Sequence, residues 1–526
     1  MKGMTDSNKN KYDAIIVGGG HNGLVCAAYL AKAGKKVIVL EANSQVGGGA
    51  VTSELCYGKR ISYCAHFLNQ LNTHVLKELN LAAHGLKFAA RDLSTVSLDR
   101  DGDHLILTKN SAKGGGITKE EAVAYKNFMM LIHDYAKTLG FLMDSPPIDI
   151  FNPDWDDKLA ALKLGWKLRV GLGAEKMSEL LRMIGMNIRD VLNDEFENNK
   201  LKGALSFDAV LGTHTGPYSP GNFLNFLYRY AAGDSGALNI PEGGMGAVSN
   251  AIASSATASG AEVRTDARVR TINVENCAVS GVTLENGEII NSSMVISNAN
   301  TKTTVFDLVG TRHFEADFVL RMTNYRMRGA AAKLHIALHA LPDFKGLSKE
   351  DLANRLLIAP DQEDVERAFN HVKYGETSPS PMMEISIPSL VDKSLADNGH
   401  VLSATVQYAP YALKGGWTEE AKAAFLETCI DRIAEYAPDI REQIEHAEIL
   451  TPKDLEDRFG MVGGNWHHGE LTLDQMLMLR PVPEASRYAL PLDGLYICGA
   501  GAHPGGGVMG AAGRNAAKAI LKGEVK

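Results

Sequence analysis

The chain opens with a short apolar run, YDAIIVG (12–18), closed by glycines. Leu24, Ala27, Ala28, Leu30 and Ala31 then recur at helical spacing up to Gly34. A second apolar run, KKVIVLE (35–41), comes directly after. This order predicts a strand–helix–strand unit of the kind that builds a parallel sheet. STVSLDRDGDHLILT (94–108) alternates about an Asp-Gly pair and predicts a hairpin. From Thr118 to Tyr230 the spacing is mostly helical, punctuated by Gly and Pro near Ser145–Pro147 and Gly212–Gly221. A helix is expected after Gly243–Gly246 and runs to about Gly260. Short strands are expected next, in EVRTD, RVRTINV, AVSGVTL, GEII and SMVIS. Residues 330–480 mix strands such as AKLHIALHA and VLSATVQYA with helices. The end returns to strand, glycine-rich loop and helix in GLYICGAG, HPGGGVMG and AAGRNAAKAILK.

The resulting expectation is an α/β fold: a Rossmann-like dinucleotide domain built from discontinuous segments, a mixed-sheet substrate domain and a helical cap. The segments are 1–110, 241–310 and 485–526 for the dinucleotide domain, 111–240 for the cap and 311–484 for the substrate domain.

Gly18-Gly19-Gly20-His21-Asn22-Gly23 fits G-x-G-x-x-G and stands where the physics needs it, after a strand and opening a helix. Gly18 permits the tight turn, Gly20 lets backbone approach a pyrophosphate, and Gly23 lets helix and strand pack closely. The helix N-terminus presents free N–H groups to phosphate. Glu41 ends the second strand, eighteen positions after Gly23. Its carboxylate can take both ribose hydroxyls and would repel a 2′-phosphate. Gly47-Gly48-Gly49 suits a chain passing close over a large flat cofactor. A further match at Gly505, Gly507 and Gly510 has too little chain after it for a second unit, so one dinucleotide site is expected.

The block of Glu41, Gly47-Gly48 and Thr52 resembles the FAD-binding signature of the amine oxidase and phytoene desaturase superfamily. PEGGMGAVSNAIA (241–253), VISNAN (295–300) and YICGAGAHPGGGVMGAAGRNAA (496–517) resemble its carotenoid-desaturase-related group. Gly212–Phe223 and Gly463–Pro481 carry a narrower likeness within it. The resemblance implies FAD as cofactor, with His21 and Asn22 among the residues near it. It implies that Val269 meets the adenine through its backbone. It places Gly501, Gly505, Gly506, Gly507 and Val508 near the flavin, with 505–508 at a helix start. Relatives carry an acidic residue after the C-terminal strand; here stands Cys498-Gly499-Ala500-Gly501.

The implied chemistry is hydride transfer from an apolar organic substrate to flavin N5. Oxygen or a quinone would serve as acceptor, since no nicotinamide unit is visible. Two other readings stay open: a redox-neutral isomerase of polyenes, and a flavin-bound interaction protein. Catalytic candidates are His503, His214, His467 and Trp466, with His468 beside them. A histidine there either acts as a base near neutral pH or simply bonds loop backbone. His467, His468 and Glu470 lack the i,i+4 spacing of a metal site, and no metal is expected.

Lys+Arg 54 against Asp+Glu 62 gives a net charge of −8, which excludes a globally basic nucleic-acid binder. Six scattered cysteines form no C-x-x-C pair, arguing against a thiol redox centre and for a reducing compartment such as the cytoplasm. The polar start MKGMTDSNKNKYD reads as neither signal nor transit peptide. Uncharged stretches at 209–228, 243–261 and 494–513 are rich in Gly, Ser, Pro or His and read as loops and helix starts, not spans. Lys163, Lys167 and Arg169, set among Leu159, Leu162, Trp166 and Val170, read either as a solvated helix face or as a peripheral contact with an acidic membrane surface.

Overall fold

The computed structural model describes residues 12–523 except 151 and 234. The expectation about a leader falls on residues outside this range. The organising element is a five-stranded parallel sheet in the order Glu262–Arg264, Val37–Leu40, Ala14–Val17, Val295–Ser297, Leu495–Ile497. Its three central strands are Ile/Val-rich and wholly buried, as a sheet covered on both faces requires. The helix His21–Lys32 comes after the first strand. It sits close because position 23 is glycine: a Cβ there would collide with the Gly18 carbonyl.

The last strand and the closing helix Ala511–Lys522 complete this same unit instead of starting a second one. The expected helix start at 505–508 lies three residues further on, after Gly510, whose φ of +72° ends the loop. Val269–Glu275, Ala278–Leu284 and Ile289–Asn291 form a separate three-stranded antiparallel sheet.

An eight-stranded mixed sheet forms the second layer. It runs from Ile444–Leu450 through Ala331–Leu338, His400–Gln407, Met382–Ser386 and Arg355–Ile358 to three N-terminal strands. Those three include the expected hairpin, with Thr95 opposite Leu107. Residues 95–114 therefore pair with the substrate sheet and not with the dinucleotide domain, because Thr95–Ser97 finds its parallel partner in Arg355–Leu357. Between 119 and 231 the described residues are mostly helical, with Lys119–Met143, Asn199–Val210 and Phe223–Ala231 burying one apolar cluster over the mixed sheet. The three uncharged stretches fall in loops, in helices that include Met245–Ala258, and in the strand Leu495–Ile497. Among the described residues no helix is long and apolar enough to cross a membrane.

Candidate active site

A cavity of about 650 Å³ lies where the parallel strands end. Gly18, Glu41, Asn298 and Ala500, each just past the C-terminal end of a strand, all line it. That is where open α/β sheets place ligands. Gly20, His21 and Asn22 line it at the start of the first helix, and Gly47, Gly48, Gly49, Val269, Gly507 and Val508 contribute further wall. Glu41 is buried. Its Oε2 accepts from the Gly19 N–H at 2.7 Å and its Oε1 from the Asn43 N–H at 2.9 Å, which fixes the carboxylate at the strand end.

Several buried polar atoms on lining residues have no protein partner: Asn22 Oδ1, Asn300 Nδ2 and His468 Nδ1. The first helix likewise has no side chain capping its N-terminus at Gly20. Each buried, unpaired group costs about 1–3 kcal/mol. A polar ligand that satisfies them fits this cavity, and the donor set at the helix start suits a pyrophosphate.

The loop carrying Trp466, His467 and His468 supplies the opposite wall. Trp466 Nε1 donates to His467 Nε2 at 2.9 Å. The loop is tied down by Arg480, a fully buried guanidinium. It donates to the carbonyls of His467 (2.5 Å), Ala500 (3.0 Å) and Gln475 (3.2 Å). Tyr228 adds a bond from its hydroxyl to the Gly506 carbonyl at 2.7 Å. Burial, reinforced by the Arg480 charge, pushes His467 down to about 3 and His468 to about 4. Both are neutral at physiological pH.

Other expected site residues stand outside the cavity wall. His503 is buried, with Nε2 bonded to the Leu142 carbonyl at 2.9 Å, and burial pushes its pKa to about 4. That bond fastens the C-terminal loop to the cap helix and keeps the imidazole off the cavity wall. His214 packs edge-on against Phe369 at 5.5 Å. Thr52 accepts from the Gly246 N–H at 2.9 Å, bracing the helix Met245–Ala258. Gly23, Gly501, Gly505 and Gly506 serve close packing behind the wall; a Cβ on Gly506 would meet the His467 backbone. Glu470 is held by Arg326 (3.1 Å) and Arg328 (2.6 Å).

Sequence reading passed over a charged network at the sheet end of the cavity. His66, Asp208, Arg229, Glu384 and Thr405 line the wall, and Lys333 and Arg355 stand behind them, fully buried. Arg355 bridges Glu384 (2.5 Å) and Asp208 (2.6 Å). Arg229 lies 3.4 Å from Asp208. His66 Nε2 is 3.0 Å from Glu384 Oε1, and its Nδ1 is 2.8 Å from Lys333 Nζ. Burial opposes ionisation of Glu384, but Arg355 and then the His66 hydrogen bond hold its carboxyl well below the usual range. Burial, with help from Lys333, pushes His66 down to about 4. The neutral ring therefore donates Nε2–H to the carboxylate and accepts at Nδ1 from Lys333. Burial also lowers Lys333 to about 7. Asn298 and Asn300 were legible only as part of the VISNAN stretch.

A dinucleotide site at the strand ends, facing a wall built by the cap and the mixed sheet, is the arrangement of an FAD-dependent oxidoreductase. The chain belongs to the family of flavin containing amine oxidoreductases, whose model matches residues 23–521. It is 36% identical to the pyridine nucleotide-disulfide oxidoreductase domain-containing protein 2 of Rattus norvegicus over 99% of this chain and 95% of that one. It is 25% identical to a limonene dehydrogenase subunit of Castellaniella defragrans over 98% and 95% of the two chains. A solved putrescine oxidase, bound to putrescine, shares the fold with a TM-score of 0.61 at 16% identity, over 97% of this chain and 99% of that one. The six cysteines are all free, so no disulfide accompanies the flavin site.

Proposed function

We propose that the protein removes hydride from an apolar organic substrate and passes the electrons to oxygen or a quinone. The observation that carries this reading is the make-up of the cavity wall. Beyond the dinucleotide end Phe67, Leu211, Leu238, Tyr228 and Leu471, contributed by the cap and neighbouring loops, stand beside the charged group of His66, Asp208, Arg229 and Glu384. Apolar walls with a few placed polar groups are what an apolar substrate needs. The likeness to a protein named as a limonene dehydrogenase subunit supports the same class. The acceptor reading is supported by the C-terminal glycine loop, which completes the first dinucleotide unit and leaves no second one among the described residues.

FAD, when bound, supplies the two-electron, hydride-accepting centre. The chain's residues do the rest. Glu41 and the first glycine turn hold the dinucleotide. The cap contributes Leu211 and Tyr228 to the substrate end of the wall. Lys333 lies behind the wall, with a pKa near 7 and its Nζ bonded to His66 and to Thr405 Oγ1 at 3.2 Å, and can take up through the wall residue Thr405 the proton that the substrate loses with the hydride.

The decisive experiment is anaerobic bleaching of the bound flavin by polyenes, amines and fatty acyl compounds. Bleaching by an apolar member, then recolouring with oxygen or a quinone, supports the reading; no bleaching by any of them overturns it. Lys333→Met is expected to slow bleaching by roughly 10²–10⁴ and to flatten its dependence on pH around 7.

A further inference from the structure

Residues 155–172 form a helix and a continuing π-helical turn, Trp155–Trp166 and Lys167–Leu172, that is apolar on two opposite sides. Leu164, Leu168 and Leu172 are partly buried and turn toward the protein. Trp155, Leu159, Leu162, Trp166 and Val170 recur at intervals of three or four, which puts them within about 80° of arc on the outer side. They are bare: Trp155 is 79% exposed, Leu162 72% and Trp166 68%. Packing within the chain explains the inner row and leaves the outer one unpartnered. A contiguous exposed apolar row of this kind marks a contact surface.

The charges beside the row say what covers it. Lys158, Lys163 and Arg169 flank the apolar stripe, all are exposed, and none has a carboxylate partner among the described residues. Lys167 lies over the Phe141 ring at 5.1 Å. The two acids of the segment are engaged elsewhere: Asp157 is buried against Arg487 at 2.8 Å, and Asp156 lies 3.7 Å from Lys522. The result is an unneutralised basic margin on a protein whose net charge is −8. Two tryptophans in an apolar row bordered by Lys and Arg form the pattern that sits at the boundary of headgroups and acyl chains.

We propose that the outer face of residues 155–172 docks on an anionic lipid bilayer, lying in the plane of its surface. The row inserts Trp155, Leu162 and Trp166 below the headgroups, and Lys158, Lys163 and Arg169 meet lipid phosphates. The contact so proposed is peripheral; among the described residues no helix is long and apolar enough to cross a membrane. The inference is independent of the redox reading, since it uses no residue of the cavity.

The test is flotation of the FAD-loaded protein with vesicles of phosphatidylcholine alone and of an equal mixture with phosphatidylglycerol. The wild type is expected to float with the mixed vesicles, much less with phosphatidylcholine, and less as salt rises. Lys158→Glu with Lys163→Glu should remove the preference for the anionic mixture. Trp155→Ser with Trp166→Ser should lower bound protein at least about tenfold while flavin content is unchanged and the melting temperature moves little, because most of each replaced side chain stands in solvent. Wild-type protein that stays with the soluble fraction in both vesicle types overturns the proposal. So does a double serine variant that floats like wild type. Doubling of the mass in light scattering, abolished by the serine variants without any flotation, would assign the row to a second copy of the chain and equally overturn it.

Discussion

Gly212 lies against the Nε1–Cζ2 edge of the Trp466 indole: a Cβ at position 212 would overlap Cζ2 and Cε2. Gly212 holds a φ of +73°, and its N–H donates to the Gln407 side chain at 3.0 Å. A glycine in the cap loop therefore decides where the tryptophan of a distant loop meets the cavity. Gly212→Ala is expected to cost about 1–3 kcal/mol by overpacking, on top of the strain of a positive φ. Combining it with Trp466→Ala should recover part of that loss. Urea unfolding of the four members of the cycle measures the coupling, and strictly additive effects would show that the two residues are independent.

Glu41→Ala should weaken FAD binding far more than it changes the far-ultraviolet spectrum of the fold. Charge-assisted hydrogen bonds of the ribose kind are worth about 1.5–3 kcal/mol each. Gly20→Val should be worse, since a Cβ there lies 2.7 Å from Asn298 Nδ2 and the branches fill the pyrophosphate approach. Flavin retained on gel filtration reads both. Wild-type retention by the two variants would make the first glycine turn a purely structural device.

His503→Ala is expected to lower the melting temperature and flavin occupancy. Loss of the bond to the Leu142 carbonyl loosens the C-terminal loop from the cap. The rate of reduction per bound flavin should remain near wild type. A drop of about a hundredfold in that rate would restore an acid–base role for the imidazole.

Arg480→Met removes the guanidinium that gathers the carbonyls of His467, Gln475 and Ala500. Those carbonyls would be left buried without their donor, so a marked fall in melting temperature with loss of flavin is expected. Arg480→Lys should be intermediate, because an ammonium keeps the charge but not the planar fork. Equal melting of Arg480→Met and wild type would contradict this placement.

Stability should fall as pH drops from about 6.5 toward 4. Burial is the leading cause that depresses His21, His66, His467, His468 and His503 below the ordinary 6.5, to values of about 3 to 4. Between those values the unfolded chain binds protons that the native protein refuses, so the stabilisation is complete above 6.5 and is lost on acidification. Each such histidine contributes a slope of up to roughly 1.4 kcal/mol per pH unit. Urea titrations at pH 7 and pH 5 measure it. His503→Ala should reduce the slope, and an unchanged or rising stability at pH 5 would refute the assignment.

The strand, glycine turn and helix at residues 14–32 and the acidic residue at 41 were legible because their geometry is set within a few residues. A tight turn needs glycine wherever it occurs, and a strand end fixes the place of the next side chain. The hairpin about Asp101-Gly102 was legible for the same reason. The Lys333–His66–Glu384 relay was not. Its members lie 267 and 318 positions apart, and only sheet register and loop packing bring them together. A sign was present in AAKLHIAL, a wholly buried strand interrupted by Lys333 and His335, since a buried lysine must find partners somewhere. Partners across such separations leave no period in the chain. The same limit applied to His503, whose partner is the Leu142 carbonyl 361 positions away, and to Trp466, whose place depends on Gly212. It applied once more to residues 155–172. Their spacing shows two apolar rows, but only packing decides which row is covered and which is left to a partner. The sequence determined by itself what local backbone geometry dictates, namely the dinucleotide turn and the order of strands and helices. Tertiary structure alone decided which buried charges balance one another and which apolar faces stay open, because burial and electrostatic pairing depend on distance in space and not along the chain.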